Sequence, residues 1–177
     1  MYVKLLAEEG YSQALLGLSL SYHQTLEAMP EVALTLAGKD GGHNKFLEAI
    51  QVWLDIQAPR YWWQQFDTYR VGITKQSEST MHTLTQRLLT TADFEGFIPA
   101  ATIERLNVLI ADCDMAQLKR ELPEAFLQRR VVCLNYKALR NIILQRYQHR
   151  LAEWQYFISR VYLQIGHTEL LPDLREL

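Results

Sequence analysis

The sequence predicts a mixed protein of the α+β class, and two patterns predict it. Residues 50–57 alternate, with Ile50, Val52, Leu54 and Ile56 on one side and Gln51, Trp53, Asp55 and Gln57 on the other, the two-residue period of a strand with one core face. Several other stretches repeat apolar residues at i, i+3, i+4 or i+7, the period of a helix with one buried stripe. The 177 residues are 49% hydrophobic and carry no internal repeat, low-complexity run or long linker, so one domain spanning 1–177 is expected.

Taken in order, MYVKLLAE reads as a first strand and SQALLGLSLSYHQTLEAM as one helix with Leu15, Leu18 and Tyr22 at helical spacing. GKDGGHN is a break, since clustered Gly and Asp favour turns. Pro59 ends the alternating strand and suits the first turn of a helix, PRYWWQQFDTYR, with Trp62, Phe66 and Tyr69 along a face. VGITKQSEST reads as a loop or a short extended piece, MHTLTQRLLTTA as a helix, and the segment after Pro99 as another, with Ile103, Leu106 and Ile110 in register. Beyond a basic connector and Pro123, FLQRRVVCLNY has the β-branched centre of a strand. It leads into a helix whose stripe of Leu139, Ile142 and Ile143 continues to Arg146 and Arg150, and EWQYFISRVYLQI reads as a final helix.

Charge is uneven along the chain. From Lys119 to Arg150 there are eight basic residues and two acidic ones, although the net charge is −2. Such a segment is either a solvated face balanced by acids elsewhere or an anion site. The slightly acidic whole argues against nucleic acid, and a small phosphorylated ligand fits better. No apolar run is long enough to cross a bilayer and no signal peptide is visible, so the expected setting is cytoplasmic, without membrane association. Cys113 and Cys133 lack metal-ligand spacing, and Cys133 sits in the apolar run VVCLN, where a buried thiol is expected.

Searches for catalytic spacing return little. Glycine-rich dinucleotide and phosphate loops are absent, as is Gly-x-Ser-x-Gly. The five histidines include no His-x-x-x-His pair, and no metal site is expected. Trp62 and Trp63 either pack in the core or stack on a base or flavin ring. Spacing alone gives an anion site and no reaction.

Two blocks supply a reaction by resemblance. LNYKALRNIILQRYQHRLAEW, with Asn135, Leu139, Asn141, Arg146 and Trp154, resembles the C-terminal signature of the flavin-dependent thymidylate synthases. GHNKFLEAIQVWLDIQAPRYWWQQFDTYR resembles that family's segment in which Gly-His precedes Phe-Glu-His, a strand, Ala-Pro and a helix; His43, Glu48, Ala58, Pro59, Gln65 and Arg70 fall in order, and Ser21 in LSLSYHQ matches a serine near the first helix. The resemblance implies a homotetrameric fold, a small sheet packed with helices, and sites assembled from several subunits. It further implies reductive methylation of dUMP or a related uracil nucleotide, with FAD as cofactor and methylenetetrahydrofolate and NADPH as co-substrates. On that footing Ser21, His43, Glu48, Arg70, Asn135 and Asn141 belong to the cofactor, and Gln65, Gln76, Ser79, Lys119 and Arg146 to the nucleotide. No catalytic side chain is assigned, because the flavin carries the electron chemistry.

The chain departs from the family's Arg-His-Arg hallmark. Thr68 and Tyr69 replace Arg-His, Ile73 falls at a serine, Gln76 stands at the glutamate, and Met81 and His82 occupy the Arg-Tyr positions once one inserted residue brings Ser79 onto the second serine. Each phosphate-contacting arginine lost weakens binding by about 1.5–3 kcal/mol, the usual worth of a charge-assisted hydrogen bond. Two alternatives therefore stand beside the enzyme: a nucleotide- or flavin-binding homo-oligomer of the same fold without turnover, and an interaction protein whose basic patch meets an acidic partner.

Overall fold

The strand read from the alternation at 50–57 forms as β2 (Gln51–Pro59), with Val52, Leu54 and Ile56 fully buried. It belongs to a four-stranded sheet of order β1-β2-β4-β3, with β1 at Tyr2–Glu9, β3 at Ile73–Ser77 and β4 at Leu127–Asn135. The computed structural model describes every residue, Met1–Leu177. Tyr136 donates its N–H to the Ile50 carbonyl and Arg60 donates to that of Phe126, so β2 and β4 run antiparallel; the bonds from Asn135 to Gly72 and from Glu78 to Arg129 do the same for β4 and β3. The segment read as loop or extended is thus the third strand.

By its contacts the chain divides into two compact units, and all four strands contribute residues to both. The first comprises Met1–Tyr2, Ile56–Thr68 and Gln76–Arg130. Its helices are α3 (Arg60–Phe66), α4 (Thr80–Thr83), α5 (Ala100–Ala111) and α6 (Met115–Glu121). Trp62, Trp63 and Phe66 are completely buried, which assigns the paired tryptophans to the core. The Trp63 indole N–H donates to the Gln128 carbonyl at 2.9 Å, and the Arg130 guanidinium lies 4.4 Å from the ring centre while pairing with Asp67. Ile103, Leu106 and Ile110 close a second cluster with Leu118 and Phe126.

One expectation fails in this unit. MHTLTQRLLTTA makes only the single turn of α4. Asn107 explains it, for its side-chain amide accepts from the Leu89 N–H and donates to the Leu89 carbonyl, satisfying that backbone outside any helix. The basic connector before Pro123 contains α6, which Asp114 begins by accepting from the Gln117 N–H at 3.0 Å.

The second unit comprises Val3–Asp55, Tyr69–Lys75 and Val131–Leu177. It holds α1 (Tyr11–Tyr22), α2 (Met29–Ala37), α7 (Tyr136–Arg146) and α8 (Ala152–Tyr162). The single helix expected over 12–29 is two, broken at His23, whose φ is 50°. His23 takes the left-handed conformation and donates its N–H to the Ser19 carbonyl, which closes α1, and Pro30 fits the first turn of the new helix. The long C-terminal stripe is also interrupted. Arg146 is the last residue of α7, and Arg150 falls in the break before α8, so it leaves the stripe formed by the fully buried Leu139, Ile142 and Ile143. Polar side chains stabilise that break: His149 Nδ1 accepts from the Leu151 N–H at 3.1 Å, and Gln155 donates to the Tyr147 carbonyl.

No helix is long and apolar enough to cross a membrane. Gly10 begins α1 at φ 92°, and an added Cβ would lie 2.2 Å from the Ala49 carbonyl oxygen. Gly10→Ala should therefore lower stability by about 2–4 kcal/mol through left-handed strain and overpacking. Gly17→Ala, inside α1 with open space at the Cβ position, should raise stability by about 0.5–1 kcal/mol. Chemical denaturation of the two variants checks both signs.

Candidate functional site

Asn135 joins β4 to α7 in the second unit, as the sequence signature suggested. Its side chain accepts from the Ala138 N–H at 2.8 Å, capping the helix, while its own N–H donates to the Gly72 carbonyl at 3.1 Å. Gly72 adopts φ +70°, and a Cβ there would stand 2.4 Å from Asn135 Nδ2. The absence of a side chain at Gly72 lets the two segments approach and opens a wall beside α7.

Against that wall lies a cavity of about 460 Å³, lined among others by Asp40, Asn44, Glu48, Gly72, Asn135, Lys137, Arg140 and Asn141. Lys137, Arg140, Asn141 and Leu144 reach it together because residues three and four apart share a helix face. Lys137 Nζ pairs with Glu48 Oε1 at 2.6 Å. Asn44 is buried to 3% exposure, and its Oδ1 has no hydrogen-bond partner in the protein. A neighbouring recess of about 770 Å³ is lined by Ser21, His43 and Glu48 with Leu18 and Phe46, so Glu48 borders both. Of the expected cofactor residues, Ser21, His43, Glu48, Asn135 and Asn141 all line one or both recesses, whereas Arg70 is exposed and lines neither.

Arg146 ends α7 in an aromatic cage. Its guanidinium carbon lies 4.9 Å from the Trp154 ring centre and 5.5 Å from that of Tyr69, and its Nε–H donates to the Tyr69 hydroxyl at 2.8 Å. Arg150, displaced from the stripe, instead lines a separate recess of about 550 Å³ with Gln145, Gln148 and His149. Burial, reinforced by repulsion from Arg146 and Arg150, pushes the His149 imidazole below its ordinary range. Burial raises the Cys133 thiol, which is half-buried rather than enclosed, and disfavours its thiolate.

The expected nucleotide residues other than Arg146 lie in the first unit. Lys119 on α6 donates to the Thr80 hydroxyl, one residue from Ser79. Ser79 starts α4, and its carbonyl accepts from the His82 and Thr83 N–H groups. Gln65 is half-buried on α3, and Gln76 is exposed on β3.

Sequence reasoning missed Asp40 and Asn44, and it counted Lys137 and Arg140 only as members of the basic segment. The last two were readable, standing at i+2 and i+5 from the Asn135 cap on the face that carries Asn141. Asn44 and Asp40 sit in the glycine-rich turn, where no periodicity points a side chain anywhere.

No family model matches this sequence, and no curated protein matches it either. Solved structures do. The flavin-dependent thymidylate synthase ThyX from Helicobacter pylori, complexed with FAD and dUMP, is similar over 98% of this chain and 99% of its own at TM-score 0.82 and 16% identity. A second structure of the H. pylori enzyme with FAD and dUMP covers all of both chains at TM-score 0.83 and 17% identity. The fold is that of the flavin-dependent thymidylate synthases, as the two signature blocks suggested.

The depressed His149 pKa sets a pH dependence. The unfolded chain takes up this proton first, near pH 6.5, so the contribution of neutral His149 to stability is complete above that value and declines as pH falls toward the folded pKa. Denaturation midpoints at pH 7.5 and 5.5 should fall less between the two in His149→Gln than in the parent, and the His149 ring should titrate below free histidine by NMR.

Proposed function

We propose that the protein is a divergent flavin-dependent thymidylate synthase-like enzyme that reductively methylates dUMP or a related uracil nucleotide. The α7 cavity carries this reading, because Asn135 and Asn141 sit in it as the signature requires, in a chain with the fold of enzymes solved with FAD and dUMP. The lining suits FAD. Lys137 and Arg140 match phosphate, the carboxylates of Asp40 and Glu48 match ribose hydroxyls, and the amides of Asn44, Asn135 and Asn141 match polar ring edges. When bound, FAD supplies the hydride chemistry, with methylenetetrahydrofolate as carbon donor and NADPH as reductant.

The protein's part is orientation and charge. Ser21, His43 and Glu48 extend the cofactor site along the second recess, and Arg70 meets flavin phosphates from the exposed segment before Gly72. Gln65, Gln76, Ser79, Lys119 and Arg146 receive the nucleotide, within a homotetramer that assembles each site from more than one copy. A cysteine nucleophile is unnecessary, which agrees with the raised Cys133 thiol.

A second reading, a flavin- or nucleotide-binding homo-oligomer without turnover, is favoured by one observation. Tyr69 stands at the histidine position of the hallmark and is engaged with Arg146.

The purified protein should be yellow, bleach with NADPH, and reoxidise with dUMP and methylenetetrahydrofolate while forming dTMP. Bound flavin without dTMP would select the second reading, and a colourless protein that takes up no FAD would defeat both. Arg146→Ala should keep the fold and weaken dUMP binding by at least about tenfold, measured by calorimetry, as expected for the loss of charge-assisted hydrogen bonds.

A further inference from the structure

The guanidinium of Arg146 is held by an ordered chain of hydrogen bonds within the second unit. Asn141 Oδ1 accepts from Gln145 Nε2 at 3.0 Å, which fixes the Gln145 amide with its oxygen toward Tyr69. Gln145 Oε1 accepts the Tyr69 hydroxyl proton at 3.0 Å. With its proton committed, the hydroxyl presents a lone pair to Arg146 Nε–H, 2.8 Å away. The Tyr69 and Trp154 rings, edge to face with centres 6.3 Å apart, bracket the cation and restrict its rotation.

Geometry follows from the atom that is used. A guanidinium binds two acceptors either through its Nε and one Nη or through the Nη pair. Tyr69 occupies Nε, so only the Nη edge remains for a ligand, and no protein group accepts from it. Side-on pairing is excluded, and the end-on edge is held in place before a ligand arrives.

Resting on the functional reading above, we propose that Tyr69 is a positioning residue that presents the Nη edge of Arg146 to a pair of acceptor oxygens on the nucleotide. Tyr69 thus replaces a hallmark histidine with a ring and a hydroxyl that keep this cation set. Gln145 and Asn141 belong to the same device, because they decide where the hydroxyl proton points. The ordered guanidinium loses less rotational entropy on binding than a free arginine would.

The test uses the full chain with FAD, and dUMP and deoxyuridine as calorimetric probes. Tyr69→Phe keeps the ring and removes the hydroxyl. It should weaken dUMP about tenfold while leaving the melting temperature unchanged and the FAD affinity within about twofold. Tyr69→His, which restores a ring with an acceptor, should recover dUMP affinity to within about threefold. A matching loss for deoxyuridine places the acceptor pair on the base, and a loss for dUMP alone places it on the phosphate. In the ligand-free protein, the Arg146 Nε–H should exchange slowly and accelerate about tenfold in Tyr69→Phe. Parent-like dUMP binding by Tyr69→Phe overturns the proposal, as does joint loss of FAD and dUMP or failure of histidine to rescue. A parent protein that binds no nucleotide at all instead removes the functional reading, and this role with it.

Discussion

The junction at Asn135 sets the geometry of everything around α7. One residue closes the β4 pairing with its backbone N–H, caps the following helix with its side chain, and packs on a glycine that leaves it room. A helix begun this way has its azimuth fixed by the strand before it, so the faces it presents follow without further choice. Leu139, Ile142 and Ile143 turn into the core, and Lys137, Arg140 and Asn141 turn into the cavity. Displacing the cap would rotate both faces together, which couples stability to the shape of the cavity.

Charge around the cavity is balanced within the protein, two carboxylates against two cations. Lys137 is paired with Glu48, so its attraction for an anion is moderated, while Asn44 holds an unsatisfied oxygen at the expense of desolvation. Arg146 is managed differently, by aromatic faces and a single neutral hydroxyl. That arrangement keeps its full charge and spares it a carboxylate partner. Tyr69, where the resembling signature has a histidine, holds this cation through its hydroxyl and its ring.

The alternating β2, the Pro59 and Pro99 helix starts and the Asn135 cap were legible because each depends on a local rule: period two, a fixed φ, or one side chain reaching one backbone group. The ends of α4 and α7 were not. Asn107 satisfies the Leu89 backbone from 18 residues away, and the interruption after Arg146 contains no glycine or proline to announce it. The site divided in the same way. Asn135 and Asn141 could be placed from a signature, whereas the Arg146 cage needs Tyr69 and Trp154 brought together from distant parts of the chain. Arg150 was put on the stripe because helical spacing was continued past a break that tertiary hydrogen bonds create.

A crystal structure grown with FAD and dUMP decides whether the α7 cavity takes a flavin. Flavin density is expected against Asn135 and Asn141, with the Arg146 Nη edge on the nucleotide. A cavity filled only by water while FAD is present at saturating concentration, or flavin bound on a surface remote from α7, would contradict it.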